Sequence, residues 1–180
     1  MKSAILANNA RYEQEVEHLL SDLGSHDDAL LNRKPAKGGW SAMQTMHHLI
    51  LSEEGSLRYA QKKMNAPLEE LGNAGIGSAW RAFLLWVSLT LPIKFKAPKM
   101  IDTEFLPENA TFAETTARWR QIRAQWRAFL ESLPEAYTRK TVYKHPRAGR
   151  LSWGGLIGFF RTHLRRHRKQ MGRAILVARE

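Results

Sequence analysis

The chain has 180 residues, of which 43% are hydrophobic, and this is enough for one globular domain, residues 1–180, with its own core. It has no cysteine, which excludes disulfides, thiolate metal ligands and a cysteine nucleophile. The formal net charge of +11 favours anionic partners. The N-terminal segment lacks the long apolar core of a signal peptide, so a reducing, cytoplasmic location is expected.

Two long amphipathic helices are predicted in the first half of the chain. Apolar residues at helical spacing predict the first over residues 5–23. The second is predicted over residues 42–64, because Ser41 and Gln44 form a capping box at its start. In such a box the hydroxyl and the amide satisfy backbone groups of the first helical turn.

The most apolar stretch of the chain covers residues 79–92, which is too short to span a bilayer, since spanning takes about 20 apolar residues. Its basic flank resembles a membrane-surface anchor, so membrane contact through residues 79–99 is one interpretation. The favoured interpretation is an extra apolar helix, inserted between the second and third long helices. Four of its residues are predicted to be partly buried against the bundle or a second subunit of a homodimer: Phe83, Leu84, Trp86 and Val87.

The second half of the chain predicts two more long helices. Thr111 and Glu114 form another capping box, which opens the third. Residues 141–149 are predicted to be extended and turn-forming, and the last long helix is predicted over residues 152–177. Four long amphipathic helices predict an all-α fold, a four-helix bundle.

The last predicted helix carries His163 and His167, four residues apart. That spacing places both side chains on one helix face, where two imidazoles can share one metal ion. A solvated basic face is the competing interpretation, because the pair lies within a run of arginines. For a third ligand in the second helix, periodicity favours His47, which lies near the middle of the face that carries Met43, over His48, which lies to one side.

Three motifs occur in a fixed order along the chain. They are Gly39-Trp-Ser-Ala-Met-Gln-Thr-Met-His-His-Leu49, the Tyr143-Lys-His-Pro146 turn and His163-x-x-x-His167-x-x-Gln170. Together they resemble the DinB-like superfamily, whose four-helix bundles include the YfiT group of metal-dependent hydrolases and the bacillithiol S-transferases. The resemblance extends from about residue 10 to residue 177. It implies a DinB/YfiT-like bundle, in which one histidine of the second helix and two of the last hold a metal.

Carried onto this sequence, the family's metal ligands are His48, His163 and His167, because His48 follows Trp40 by eight residues. The resemblance implies a metal-dependent enzyme of hydrolase or thiol-transferase type, acting on a small molecule that is anionic or a thiol. Three neutral imidazoles leave one position open for water or substrate, which is typical of catalytic zinc sites. A divalent ion is expected, zinc first and nickel second.

The catalytic residues are not fixed by these motifs. Glu53 and Glu54 are weak candidates for a base, and Gln170 for orienting a ligand; an ordinary helix-surface position is the alternative for each. The arginines around His167 can point outward, bind an acidic substrate or lower histidine pKa values by repulsion.

A non-enzymatic basic binding protein is the alternative class, with nucleic acid, an anionic or apolar ligand or a membrane surface as its partner. The arginine-rich third and fourth long helices would supply the binding surface. Nucleic acid is disfavoured, because the sequence shows no helix-turn-helix, finger or RNA-binding signature.

Overall fold

The computed structural model describes residues 1–36, 38–91 and 106–179 of the chain. Within these ranges it contains six α-helices and one β-hairpin. The helices are α1 (Lys2–Leu23), α2 (Asp28–Asn32), α3 (Ala42–Met64), α4 (Ile76–Thr90), α5 (Phe112–Ser132) and α6 (Trp153–Arg179). The hairpin pairs β1 (Tyr143–His145) with β2 (Gly149–Leu151), and 3₁₀ turns lie at Leu68–Glu70 and Glu135–Arg139.

The four long helices, α1, α3, α5 and α6, form the bundle. Helix α6 packs against α1 and α3, and α5 packs against the same two helices. Three tryptophans, Trp119, Trp126 and Trp153, are fully buried in the core. Burying an aromatic side chain of this kind stabilises the fold by roughly 1.5–3 kcal/mol. The all-α four-helix bundle predicted from the sequence is confirmed.

The start of α3 is fixed by the predicted capping box. The Ser41 hydroxyl accepts from the Gln44 amide at 3.0 Å, and the Gln44 carboxamide oxygen accepts from the Ser41 amide at 3.3 Å. Gly38 and Gly39, with φ of 85° and 117°, make the left-handed turn that leads into it. Every residue from Ser41 to Ile50 is buried, so the first turns of α3 lie inside the bundle.

Two local details differ from the sequence prediction. Helix α1 begins at Lys2, three residues before the predicted start at Ile5. The second capping box is only half formed, since the Thr111 hydroxyl accepts from the Glu114 amide at 3.2 Å but donates to the Glu114 carboxylate at 2.6 Å. The Glu114 carboxylate accepts from the Thr111 hydroxyl, whereas in a complete box it would accept from the Thr111 backbone amide.

Helix α4 is the predicted apolar insertion, and it packs on α6 and on β2. The approach to α6 is close, because a Cβ on Gly155 would lie 3.2 Å from the Ala82 Cβ. Leu85 is buried on this inner face. The prediction of partial burial within the chain holds for Val87 alone. Phe83, Leu84 and Trp86 retain 47%, 48% and 50% of their surface because they lie on the opposite face.

The basic flank predicted at residues 94–99 lies outside the described residues. Among the helices of the described ranges, none is long and apolar enough to cross a membrane.

A buried carboxylate joins three of the long helices. Glu53 of α3 is 2% exposed and accepts from the Tyr12 hydroxyl at 2.6 Å and from the Trp119 indole at 2.9 Å. Its second oxygen accepts from the Arg123 guanidinium at 2.7 Å, and Arg123 also donates to Asn9. These contacts connect α3 with α1 and α5, and they give Glu53 a structural role.

We expect Glu53→Gln to lower the free energy of unfolding by about 3 kcal/mol, because it removes the carboxylate charge 2.7 Å from the buried Arg123 and leaves the more distant Glu13, at 3.7 Å. The adjacent variant Glu54→Gln is the matched control. Its partner Arg118 is 40% exposed, so a loss below about 1 kcal/mol is expected. Urea denaturation of the two variants measures the difference, and equal losses would contradict the role given to Glu53.

Candidate metal centre

Three histidine side chains from two helices converge in the bundle. The Nε2 atom of His163 lies 3.2 Å from that of His48 and 3.0 Å from that of His167. One nitrogen from each ring lies within 4.8 Å of the other two. His48 and His167 are buried, 5% and 8% exposed, and His163 is partly buried. These are the three histidines that the family resemblance selects from the sequence.

The helices place these side chains through their phase. His163 and His167 are one turn apart on α6 and therefore share a face. On α3, neighbouring residues are rotated by about 100°, so His47 and His48 point to different helices. His48 faces α6, whereas His47 Nε2 lies 3.1 Å from the Thr115 hydroxyl of α5. The offset from the tryptophan therefore identifies the histidine that joins the cluster, and helical periodicity alone does not.

Two aromatic rings enclose the cluster. The Trp40 ring centroid lies 4.7 Å from that of His48 and 6.4 Å from that of His167, nearly parallel to the latter. The Phe159 ring stacks on His163 at 5.1 Å. These contacts restrict rotation of the imidazole rings. In the sequence Trp40 served only to locate His48, and Phe159 was missed. Phe159 precedes His163 by four residues on a predicted helix, so contact between the two side chains could have been predicted.

Gln170 contacts the cluster. Its carboxamide oxygen lies 3.0 Å from His167 Nδ1. A carboxamide oxygen only accepts hydrogen bonds, so this contact holds the proton on Nδ1 and directs the Nε2 lone pair of His167 towards the other two rings. Within the described part of the chain, His48 Nδ1 is buried and has no hydrogen-bond partner.

The environment keeps the three imidazoles neutral. Burial lowers the pKa of His48 to about 4. Burial, with a smaller contribution from His48, lowers the pKa of His167 to about 3. For His163 burial is again the main cause, followed by repulsion from His167 and His48, and its pKa is lowered well below the ordinary value. At neutral pH all three rings are therefore in the form that can bind a metal ion.

The basic run around His167 is directed away from the cluster. Arg165 donates to Glu15 at 2.7 Å and Arg168 donates to Asp22 at 2.6 Å, both on α1. Arg166 donates at 3.0 Å to the backbone carbonyls of two residues at the C-terminal end of α4. Its charge still contributes to lowering the pKa of His163 and of His167.

The arginines of α5 are also engaged in ion pairs. Their partners belong to α1 and α3, so these arginines join helices to one another. The pairs are Arg118 with Glu54 at 2.8 Å, Arg120 with Glu17 at 2.7 Å, and Arg127 with Glu13 at 2.7 Å. These ion pairs give the three arginines a structural role in the bundle.

The three candidates for a base or an orienting residue differ in what their side chains contact. Glu53 is held by the buried network and Glu54 by a two-point contact with Arg118, at 3.0 and 2.8 Å. These contacts favour structural roles for both glutamates. Gln170 is the candidate whose described contact reaches the histidine cluster.

Comparison with known proteins agrees with this architecture. The solved structure of YfiT from Bacillus subtilis, described as a probable metal-dependent hydrolase with an unusual four-helix bundle topology, is similar with a TM-score of 0.51. The similarity covers 96% of this chain and 85% of that one at 17% sequence identity, which shows a shared fold. No curated protein matches the chain. The family model described as DinB superfamily matches residues 10–171, and the chain therefore belongs to the DinB superfamily.

Proposed function

We propose that the protein is a divalent-metal-dependent hydrolase of a small-molecule substrate, with His48, His163 and His167 as the metal ligands. The observation that carries the proposal is the convergence of three Nε2 atoms from two helices. The description of the structurally similar YfiT as a probable metal-dependent hydrolase supports the same class of activity.

The donor set fits a divalent ion. Zinc lies about 2.0–2.1 Å from each histidine nitrogen, so two nitrogens on one ion lie at most about 4.2 Å apart. The separations of 3.0 and 3.2 Å satisfy this limit. Imidazole ligands suit zinc, and nickel is the second choice. The contact of Gln170 with His167 is the outer hydrogen bond that commonly fixes a metal-binding histidine.

A divalent ion in this position would act as a Lewis acid, polarising a substrate oxygen and lowering the pKa of water. The protein's own groups prepare the site for it. Gln170 keeps the His167 proton on Nδ1, and burial keeps the imidazoles neutral. Trp40 and Phe159 hold the rings in place, so little reorganisation is needed on binding.

The proposal is tested first by metal content. Elemental analysis of untagged protein is expected to give about one equivalent of zinc or nickel, as one three-histidine site requires. Alanine in place of His48, His163 or His167 should remove it. His47→Ala is the matched control, since His47 is buried in the same helix but bonds Thr115, and it should retain the metal. Equal metal content in the His47 and His48 variants would contradict the assignment.

Activity assays then separate hydrolysis from transfer to a thiol. Metal-loaded protein is tested on ester, amide and phosphoester substrates, with and without a low-molecular-weight thiol. Hydrolysis without thiol that is absent from His163→Ala supports the proposal. Turnover that requires the thiol would assign the site to a transferase instead.

Gln170→Leu is expected to weaken metal binding by about 10- to 100-fold, because His167 loses the partner that fixes its ring and tautomer. Competition with a chromophoric chelator measures the affinity. Lys169→Leu is the control, because Lys169 is exposed next to Gln170, and its affinity should equal that of the unmodified protein. An unchanged affinity in Gln170→Leu would show that the hydrogen bond does not support the metal.

The pH dependence of thermal stability follows from the lowered pKa values. In the folded chain His48 stays neutral down to about pH 4, whereas a histidine of the unfolded chain has a pKa of about 6.5. Unfolding therefore takes up protons between these values, and Tm should fall as the pH drops through this window even in chelator.

Bound metal should add a further stabilisation at neutral pH. The gap between the metal and chelator series should persist as the pH falls to about 4 and close below it, because protons compete for the nitrogens of the folded chain only in that range. Melting curves at several pH values measure both effects. Two series that coincide at neutral pH would show that metal binding does not stabilise the fold.

A further inference from the structure

Helix α4 exposes an apolar face that the bundle does not cover. At about 100° per residue, its exposed apolar side chains fall within an arc of roughly 160°. The five most exposed apolar side chains of α4 are Ile76 (91%), Trp80 (58%), Trp86 (50%), Leu84 (48%) and Phe83 (47%). The rings of Trp80, Phe83 and Trp86 stack in sequence, with centroids 5.4 and 5.9 Å apart.

The opposite face holds α4 on the bundle. Leu85 is buried, and Ala82 lies against α6 at Gly155. The Arg166 side chain of α6 bonds the carbonyls of Leu89 and Leu91 at the end of the helix. The aromatic face is therefore directed outward on a fixed helix.

The stretch of sequence that contains α4 carries basic residues and no acidic ones. Residues 71–101 contain Arg81, Lys94, Lys96 and Lys99 but no aspartate or glutamate. An apolar, tryptophan-bearing helix face combined with cations is typical of helices that lie in the plane of a membrane surface. A second copy of the chain would be a less favourable partner, since it would bring equal positive charges together.

We propose that α4 docks the protein on an anionic phospholipid surface, with Trp80, Phe83 and Leu84 inserted among the lipids. The helix has 15 residues and lies on the surface rather than spanning the bilayer. The inference is independent of metal binding, because it rests on residues outside the histidine cluster.

Co-flotation of the full chain with vesicles tests the proposal. Unmodified protein is expected to bind phosphatidylcholine vesicles that contain phosphatidylglycerol, to bind pure phosphatidylcholine less, and to lose affinity as salt is raised. In Trp80→Asp/Phe83→Asp the partition coefficient should fall by at least about tenfold, because two inserted rings are lost. Vesicles with brominated acyl chains should quench tryptophan emission of the unmodified protein more than that of this variant.

Leu176→Asp is the matched control, since Leu176 is a 63% exposed apolar residue of α6 away from α4, and it should bind like the unmodified protein. Circular dichroism verifies the fold of each variant, and Trp80→Ser/Phe83→Ser replaces the aspartate variant if that one unfolds. The proposal is overturned if unmodified protein does not float, or if folded α4 variants float equally well. It is also overturned if Leu176→Asp loses binding to the same extent. A dimer that dissociates in the α4 variants, without vesicle binding, would assign the face to a second copy.

Discussion

The buried charge of Glu53 is the constraint on which the site depends. Its two oxygens receive donors from α1 and α5, so α3 can adopt only the rotation that keeps this carboxylate inside. A carboxylate turned into the core without these donors would cost several kcal/mol. The same rotation directs His48 to α6 and His47 to Thr115 of α5. The orientation of the candidate ligand is therefore set by an interaction five residues away that lies outside the histidine cluster.

Helix α6 is positioned by a different kind of contact. Residues 153–179 contain no aspartate or glutamate, and the carboxylates that pair with Arg161, Arg165 and Arg168 are supplied by α1. Each exposed pair contributes little alone, at most about 1 kcal/mol. Because Arg161 and Arg165 share Glu15 while Arg168 bonds Asp22, the pairs fix one side of α6 against α1. The histidine pair lies on another face of the same helix, turned towards α3.

Much of this arrangement could be predicted from the sequence, and the reasons for the exceptions are physical. Capping by Ser41, the four long helices and the shared face of His163 and His167 follow from local rules of helix geometry. The rotation of α3 about its own axis could not be predicted from periodicity. All residues from Ser41 to Ile50 are buried, so the apolar pattern does not show which side chain faces which neighbouring helix. Only the resemblance, through the offset from Trp40, selected the correct histidine for the cluster.

The orientation of α4 was unpredictable for a related reason. Its sequence is apolar on both faces, so hydrophobicity could not show which one meets the bundle. The choice is made by small residues, since Ala82 can approach Gly155 closely whereas the larger rings cannot. Arg166 then bonds the last carbonyls of α4 from a position between the two histidines of α6. Helix α6 therefore supports both features. Its surface at Gly155 packs against α4, which carries the outward aromatic face, and its His163 and His167 side chains belong to the histidine cluster.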